Sequence, residues 1–295
     1  MAFALLLGLA SSPPCPLQAA ERLPAPISPG ESAPPLVMEE DGSPPGDLPI
    51  EPYKANYFLF LTYDRKVEEQ DDRLPQEFKF QLSLKKNLIE WRYLPTYFGY
   101  TQKSFWQIYD QAHSAPFRES NYNPELFVDY DLTLLRESPF GFRVGIEHES
   151  NGHTGEFSRS WNRFYLKPSY HQGLLWLSLK AWHRFEEQQK IDENDQGGDD
   201  NPDIDHYLGN WEFQAYLPVA KYFDLSLLMR KRVRPAGPFY RLDLDYFLRN
   251  NIYTRIQIVH GYGESLIDYN RKVSKIGVGF VFSAHEARGT RHRIQ

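Results

Sequence analysis

Most of this chain alternates. From Gly237 to Arg249, Tyr240, Leu242, Leu244, Tyr246 and Leu248 are apolar or aromatic, and Arg241, Asp243 and Asp245 between them are charged. Between Lys221 and Arg230, Phe223, Leu225, Leu227 and Met229 alternate with Asp224, Ser226 and Arg230. Near the end, Ile276, Val278, Phe280 and Phe282 alternate with Gly277, Gly279 and Val281. A period of two marks a strand with one apolar face, because successive side chains point to opposite sides of a sheet. Helix-like spacing is scarce, so an all-β fold is expected. Such segments fall near 54–64, 75–86, 103–110, 124–133, 139–149, 160–170, 173–184, 204–217, 221–231, 238–249, 251–262 and 273–283. Short turns such as Pro218-Val219-Ala220 and Asn250-Asn251 alternate with longer polar loops such as Asp192 to Asp203. An even number of strands with this loop pattern suits an antiparallel outer-membrane barrel.

Composition narrows the reading. A mean hydropathy of -0.58 excludes a bundle of membrane helices, and the longest apolar run, Ala2 to Ala10, is well short of the roughly 18 residues a spanning helix needs. A net charge of -6 without a basic stripe argues against a general nucleic-acid binder, so no nucleic acid is expected as a partner. Aromatic residues make up 15% of the chain; they favour strands and also crowd the water boundary of a membrane. Two architectures share the alternation. A soluble sandwich would turn its apolar rows inward and its charges to water. A membrane barrel turns the same rows to lipid and fills its lumen with paired charges. Tyrosine and tryptophan beside the apolar rows, and both signs of charge on the other faces, favour a twelve-stranded antiparallel transmembrane β-barrel.

Residues 1–20 are expected to be a secretory signal: a short apolar core followed by small residues ending Gln18-Ala19-Ala20, without a positive n-region. Residues 21–52 are rich in Pro, Gly, Ser and acids, and form an expected disordered or extended arm. The barrel is expected over 53–283, followed by a polar tail at 284–295. The lone Cys15 falls within the signal, so an exported chain would contain no disulfide framework or CxxC metal site.

Three polar residues stand on the wrong face. Phe142, Val144, Ile146, His148 and Ser150 share one side of a strand, and Asn162, Phe164 and Leu166 share one side of the next. His148, Ser150 and Asn162 thus continue apolar rows, where they are costly unless they bond one another. A hairpin can set the Asn162 amide oxygen against one ring nitrogen of His148, leaving the other to deprotonate Ser150 for attack on an acyl carbonyl. The plain alternative is polar residues at strand ends.

The sequence closely resembles the outer membrane phospholipase A family. The resemblance is carried by Glu147 to Gly152 (EHESNG), Ser158 to Asn162 (SRSWN) and the twelve positions separating Ser150 from Asn162. Tyr100 to Trp106 (YTQKSFW), Pro116 to Phe127 (PFRESNYNPELF), Asp200 to Ile204 (DNPDI) and Gly261 to Asn270 (GYGESLIDYN) also fit. It implies a twelve-stranded outer-membrane barrel of a Gram-negative bacterium that hydrolyses acyl esters of phospholipids and lysophospholipids. Ser150 would be the nucleophile, His148 the base and Asn162 its orienting residue. It further implies a homodimer with a Ca2+ site between subunits, taking the Ser114 hydroxyl from one and the carbonyls of His153 and Ser158 from the other. The Gly152 amide would serve the oxyanion, and Gln102 would hydrogen-bond across the dimer interface. The stretch Tyr109 to His113 departs from the family's pattern, which leaves the Ser114 alignment the weakest of these. A catalytically silent barrel acting as a pore or structural protein is the alternative.

Other patterns fail on inspection. His148-Glu149 with His153 is one residue too long for HExxH and lacks a helix. Asp192 to Asp203 resembles an EF-hand loop, yet Gln196 replaces a ligand. No GxSxG nucleophile elbow is present.

Overall fold

Each long strand pairs antiparallel with its neighbour in the chain. In the computed structural model the described residues are 50–68, 71, 73–91, 94–131, 138–190, 198–231 and 237–282, all within the unit Leu48–Gln295. The expected signal 1–20, the arm up to residue 49 and the tail 284–295 lie outside them. The strands are β1 Tyr57–Asp64, β2 Gln76–Ile89, β3 Thr96–Trp106 and β4 Phe117–Asp131. They continue as β5 Phe140–Ser150, β6 Ser160–Gln172, β7 Leu175–Arg184 and β8 Trp211–Ala220. The last four are β9 Phe223–Arg230, β10 Phe239–Arg249, β11 Ile252–Tyr262 and β12 Lys272–Val281. The last strand pairs back with the first, from Lys275 opposite Asp64 to Val281 opposite Tyr57, and the sheet closes into a barrel. At the foot of the Pro-rich arm, Ile50–Pro52 is extended and pairs with Leu84 to Lys86 of β2.

Burial separates a membrane barrel from a sandwich. Along β10 and β11 the charged rows are inside: Asp243, Asp245, Arg255 and Gln257 are at most 2% exposed, while Ile256 and Ile258 are each 47% exposed. Arg255 grips Asp245 across the ladder through Nε at 2.7 Å and Nη2 at 2.8 Å. A soluble fold would reverse both rows, because burying charge is costly and exposing isoleucine to water is unfavourable. The barrel is therefore of the transmembrane kind, apolar outside and ionic inside.

The lumen is lined by ion pairs around a polar cavity that Lys79, Lys103, Glu147 and Arg230 help to wall. Glu77 meets Arg118 and Lys275, Lys275 and Lys79 share Glu264, and Glu147 meets both Lys180 and Arg163. The long connections 65–75, 107–116, 151–159, 185–210, 231–238 and 263–271 all join strands at one end. The connections 90–95, 132–139, 173–174, 221–222 and 250–251 join them at the other. At the long-loop end, Ile204 and Leu208 of a short helix (Ile204–Leu208) share a buried apolar cluster with Leu266, Tyr269, Trp161 and Trp182. Gly263 permits this approach: its φ is +77°, and a Cβ there would lie 2.6 Å from Leu208 Cδ1.

Several expected boundaries shift. The strand expected at 103–110 begins at Thr96, and the one at 124–133 begins at Phe117. Across these stretches outward-facing Tyr100, Gln102, Ser104, Ser120 and Tyr122 are polar or amphipathic, so alternation of polarity disappears although the strands persist. The segment expected as strand from 204 opens with the short helix, whose buried Ile204 and Leu208 are spaced i, i+4. Strand β8 runs through the expected turn at 218–220, and the chain reverses at Lys221–Tyr222 instead. The Asn250-Asn251 turn forms where expected, with both residues at positive φ as a tight hairpin demands.

Candidate active site on the outer wall

The hairpin of β5 and β6 sets the site. Its ladder places His148 directly opposite Asn162 and Ser150 opposite Ser160. Residues opposed in an antiparallel pair have Cβ atoms about 5 Å apart, which is hydrogen-bonding range for an imidazole and an amide. His148 Nδ1 lies 2.9 Å from Asn162 Oδ1. An amide oxygen can only accept, so Nδ1 carries the proton and Nε2 is left as the basic nitrogen. Ser150 follows two residues on, on the same outer face, and makes no side-chain hydrogen bond among the described residues. Its hydroxyl is free to turn toward Nε2; such contacts commonly close only when substrate binds.

Beneath this face the strand is tied from inside. Glu147 and Glu149 flank His148 and point into the lumen, where Glu147 holds Arg163 and Lys180, and Glu149 holds Arg163 and Trp161 Nε1. On the β4 side the ladder breaks between Tyr122–Ser150 and Glu125–Glu147, because Pro124 has no N–H to offer. The side chain of Asn123 substitutes, donating from Nδ2 to the His148 carbonyl at 2.8 Å.

The connection 151–159 is braced by Asn151, which is 4% exposed. Its Oδ1 accepts from the backbone N–H of His153 and Arg159, and its Nδ2 donates to Phe157 O. Gly152 sits there at φ +69°, with a Cβ position 3.2 Å from the Tyr122 ring. The start of β6 is held by the DNPDI stretch: Ser160 N donates to Asn201 Oδ1 at 2.9 Å, and Ser158 Oγ donates to Asp200 at 2.7 Å. In the 263–271 connection, burial alone would raise the Glu264 carboxyl, but the Lys275 and Lys79 ammonium groups outweigh it and hold it well below the usual carboxylate range.

The residues expected to hold a cation lie on two long connections at the same end. Ser114 ends a 3-10 turn (Gln111–His113) in the left-handed region at φ 62°, exposed, with Ala115 also left-handed at φ 48°. The His153 ring faces Glu119 at 3.5 Å, leaving its carbonyl as the available ligand. The Ser158 carbonyl accepts from Arg159 Nη1 at 2.6 Å and keeps a second lone pair. Hydroxyl and carbonyl oxygens are the donors a hard cation takes, and among the described residues no cluster of three His, Cys, Asp or Glu offers a different site. The donors are of the kind calcium takes, they are sparse on one chain, and the Ser158 carbonyl already accepts from a guanidinium.

Gln102, expected to reach across a dimer interface, is hydrogen-bonded within its own chain. It accepts from Tyr100 OH at 3.3 Å and donates to Ser104 Oγ at 3.0 Å, and Ser104 pairs with Ser120 at 2.8 Å. This polar ladder runs beside the site, since Tyr122 stands opposite both Gln102 and Ser150.

Sequence reasoning also missed Asn123, Asn151 and Glu187, the last of which accepts from Asn162 Nδ2 at 2.8 Å. Asn123 and Asn151 lie inside stretches that carry the family resemblance, which signals importance without a role. Nothing in the sequence points to Glu187.

Fold and site together define a class: a membrane barrel whose outer wall carries a bonded His148–Asn162 pair beside Ser150. The chain belongs to the phospholipase A1 family, whose model matches residues 36–282. Phospholipase A1 of Escherichia coli K12 is 32% identical, over 84% of this chain and 85% of the relative. The solved outer membrane phospholipase A of E. coli superposes with a TM-score of 0.70 at 30% identity, over 79% of this chain and 98% of that one. The Salmonella typhi outer membrane phospholipase, solved as a dimer with bound calcium, gives a TM-score of 0.70 at 29% identity, over 82% and 94% of the two chains.

Proposed function

We propose that this protein is a calcium-dependent phospholipase of the Gram-negative outer membrane, cleaving acyl esters of phospholipids and lysophospholipids and active as a homodimer. The observation that carries the reading is the His148–Asn162 bond beside Ser150 on the lipid-facing wall. Membrane lipid presents its ester groups near that wall, so substrate is met without leaving the bilayer. Family membership and the calcium-bound dimeric relative support the substrate class, the ion and the assembly.

In this reading His148 Nε2 takes the Ser150 proton as Oγ attacks the ester carbonyl carbon. The Gly152 N–H donates to the oxyanion as the tetrahedral intermediate forms. The imidazolium then gives its proton to the leaving glycerol oxygen as that C–O bond breaks, which leaves an acyl-serine. Water, deprotonated by His148, attacks the acyl carbon, and the fatty acid leaves with Ser150 restored. Throughout, Asn162 holds the ring in one tautomer. Calcium held by Ser114 of one subunit and the carbonyls of His153 and Ser158 of the other would supply positive charge near the oxyanion. Ion pairs that cross the lumen argue against the pore reading.

The test compares wild type with Ser150→Ala in detergent and in vesicles, with and without calcium. Hydrolysis should require both Ser150 and calcium, and the variant should remain a heat-resistant folded barrel. Hydrolysis by Ser150→Ala removes the nucleophile assignment; an unchanged rate after chelation removes the ion.

A further inference from the structure

Glu187 stands at the long-loop end of the barrel, beside the outer face that carries Asn162. It is a half-buried carboxylate just past the end of β7, and no cation pairs with it among the described residues. Among the described residues its one side-chain hydrogen bond is from Asn162 Nδ2, at 2.8 Å. With no counter-charge among the described residues, a structural ion-pair role does not explain it. Nor is its segment loosely held. Phe185 N donates to the Asn162 carbonyl at 2.9 Å, and Gln188–Gln189 pairs with Gly198–Asp199. Asp199 in turn binds Arg184 at 2.5 Å.

The chemistry of the contact has a direction. An amide is nearly symmetric in shape, and either end can face the imidazole. An ionised carboxylate only accepts, so it forces the Asn162 nitrogen toward itself and the oxygen toward His148. The oxygen, accepting only, then requires the proton on Nδ1. Two hydrogen bonds in series thus set which nitrogen of His148 is the base. The carboxylate also polarises the amide toward an imidazolium, which is the charged partner during reaction.

We propose that Glu187 is a positioning residue of this site, acting through Asn162 to fix the tautomer of His148; the proposal rests on the Ser150–His148–Asn162 reading above. Glu187→Gln keeps the shape but can donate as well as accept, so the amide loses its fixed direction. In the full-length protein at saturating calcium, kcat should fall about three- to tenfold while KM changes less than about twofold. The rate at which a fluorophosphonate labels Ser150 should fall by the same factor. Labelling is read on the heat-resistant folded band alone, so a folding defect lowers yield and not rate. In an Asn162→Ala background, Glu187→Gln should change the rate less than about twofold, because its route of action is gone.

A wild-type kcat and labelling rate in Glu187→Gln overturns the proposal. So does an equal loss in both backgrounds, or a loss recovered by raising calcium, which would place Glu187 on the ion. Ser150→Ala, run alongside, separates the two readings. If it hydrolyses lipid the triad itself fails; if it is inert while Glu187→Gln is unaffected, only the positioning role fails.

Discussion

Asn162 stands directly across the β5–β6 ladder from His148, with its amide oxygen 2.9 Å from the ring Nδ1. The contact is built by register, and a one-residue slip would turn either side chain into the lumen. Asn162→Ala should lower kcat roughly 10- to 100-fold without unfolding the barrel, since Ser150 and Nε2 remain but the ring is unguided. Steady-state kinetics with a soluble short-chain ester would show it. A rate within twofold of wild type would mean that packing alone holds the imidazole.

Gly152 and Gly155 offer a matched pair. Both have positive φ, +69° and +64°, but a Cβ at Gly152 meets the Tyr122 ring whereas one at Gly155 meets nothing within 4 Å. Alanine at either should cost about 1–2 kcal/mol of backbone strain. Only Gly152→Ala should also lower kcat, on the order of tenfold or more, by displacing the amide proposed to face the oxyanion. Equal kinetics for the two variants would remove that role.

Inside the lumen, Asp245→Ala leaves Arg255, 1% exposed, without its bidentate partner. Breaking a buried pair costs up to about 3–5 kcal/mol, and Asp243, 3.5 Å from Arg255 Nη1, remains to offset part of it. The double variant Asp245→Leu with Arg255→Met should recover most of that loss. Urea unfolding from vesicles measures both, and a near-silent Asp245→Ala would show that water reaches the guanidinium.

Glu264 gives a pH signature. Its carboxyl is held below the usual range by Lys275 and Lys79 against the opposing effect of burial. A depressed folded-state value means its stabilisation is full above the unfolded pKa of about 4.3 and is lost only as pH falls through the lower folded value. The stability difference between wild type and Glu264→Gln should therefore be constant from pH 8 to pH 5 and shrink in stronger acid. A difference that already declines between pH 7 and pH 5 would contradict this.

The barrel was legible where lipid and lumen impose opposite chemistry on alternate residues, as from Tyr240 to Leu248. It faded where both faces are polar: β3 and β4 reach seven residues further toward their N-terminal ends than the pattern suggests, because Gln102, Ser104 and Ser120 face outward beside the site. In β1 a register shift between Leu59 and Thr62 leaves Phe60 and Leu61 both exposed, which hides the period locally. His148, Ser150 and Asn162 could be singled out because they interrupt apolar rows, and the ladder does bring His148 and Asn162 together. Glu187 could not be found that way, since it lies beyond the strand and owes its place to a connection folding back onto β6.

His148 is flanked in the chain by Glu147 and Glu149, each anchored to cations or an indole on the opposite side of a wall one residue thick. The ionic interior is thus the mould against which the reactive surface is cast. In the proposed site, residues with no access to lipid, such as Lys180 and Arg163, would set the geometry through Glu147 as residues that meet the membrane do directly. Changes made there should be felt as altered turnover at the outer wall, with the fold still closed.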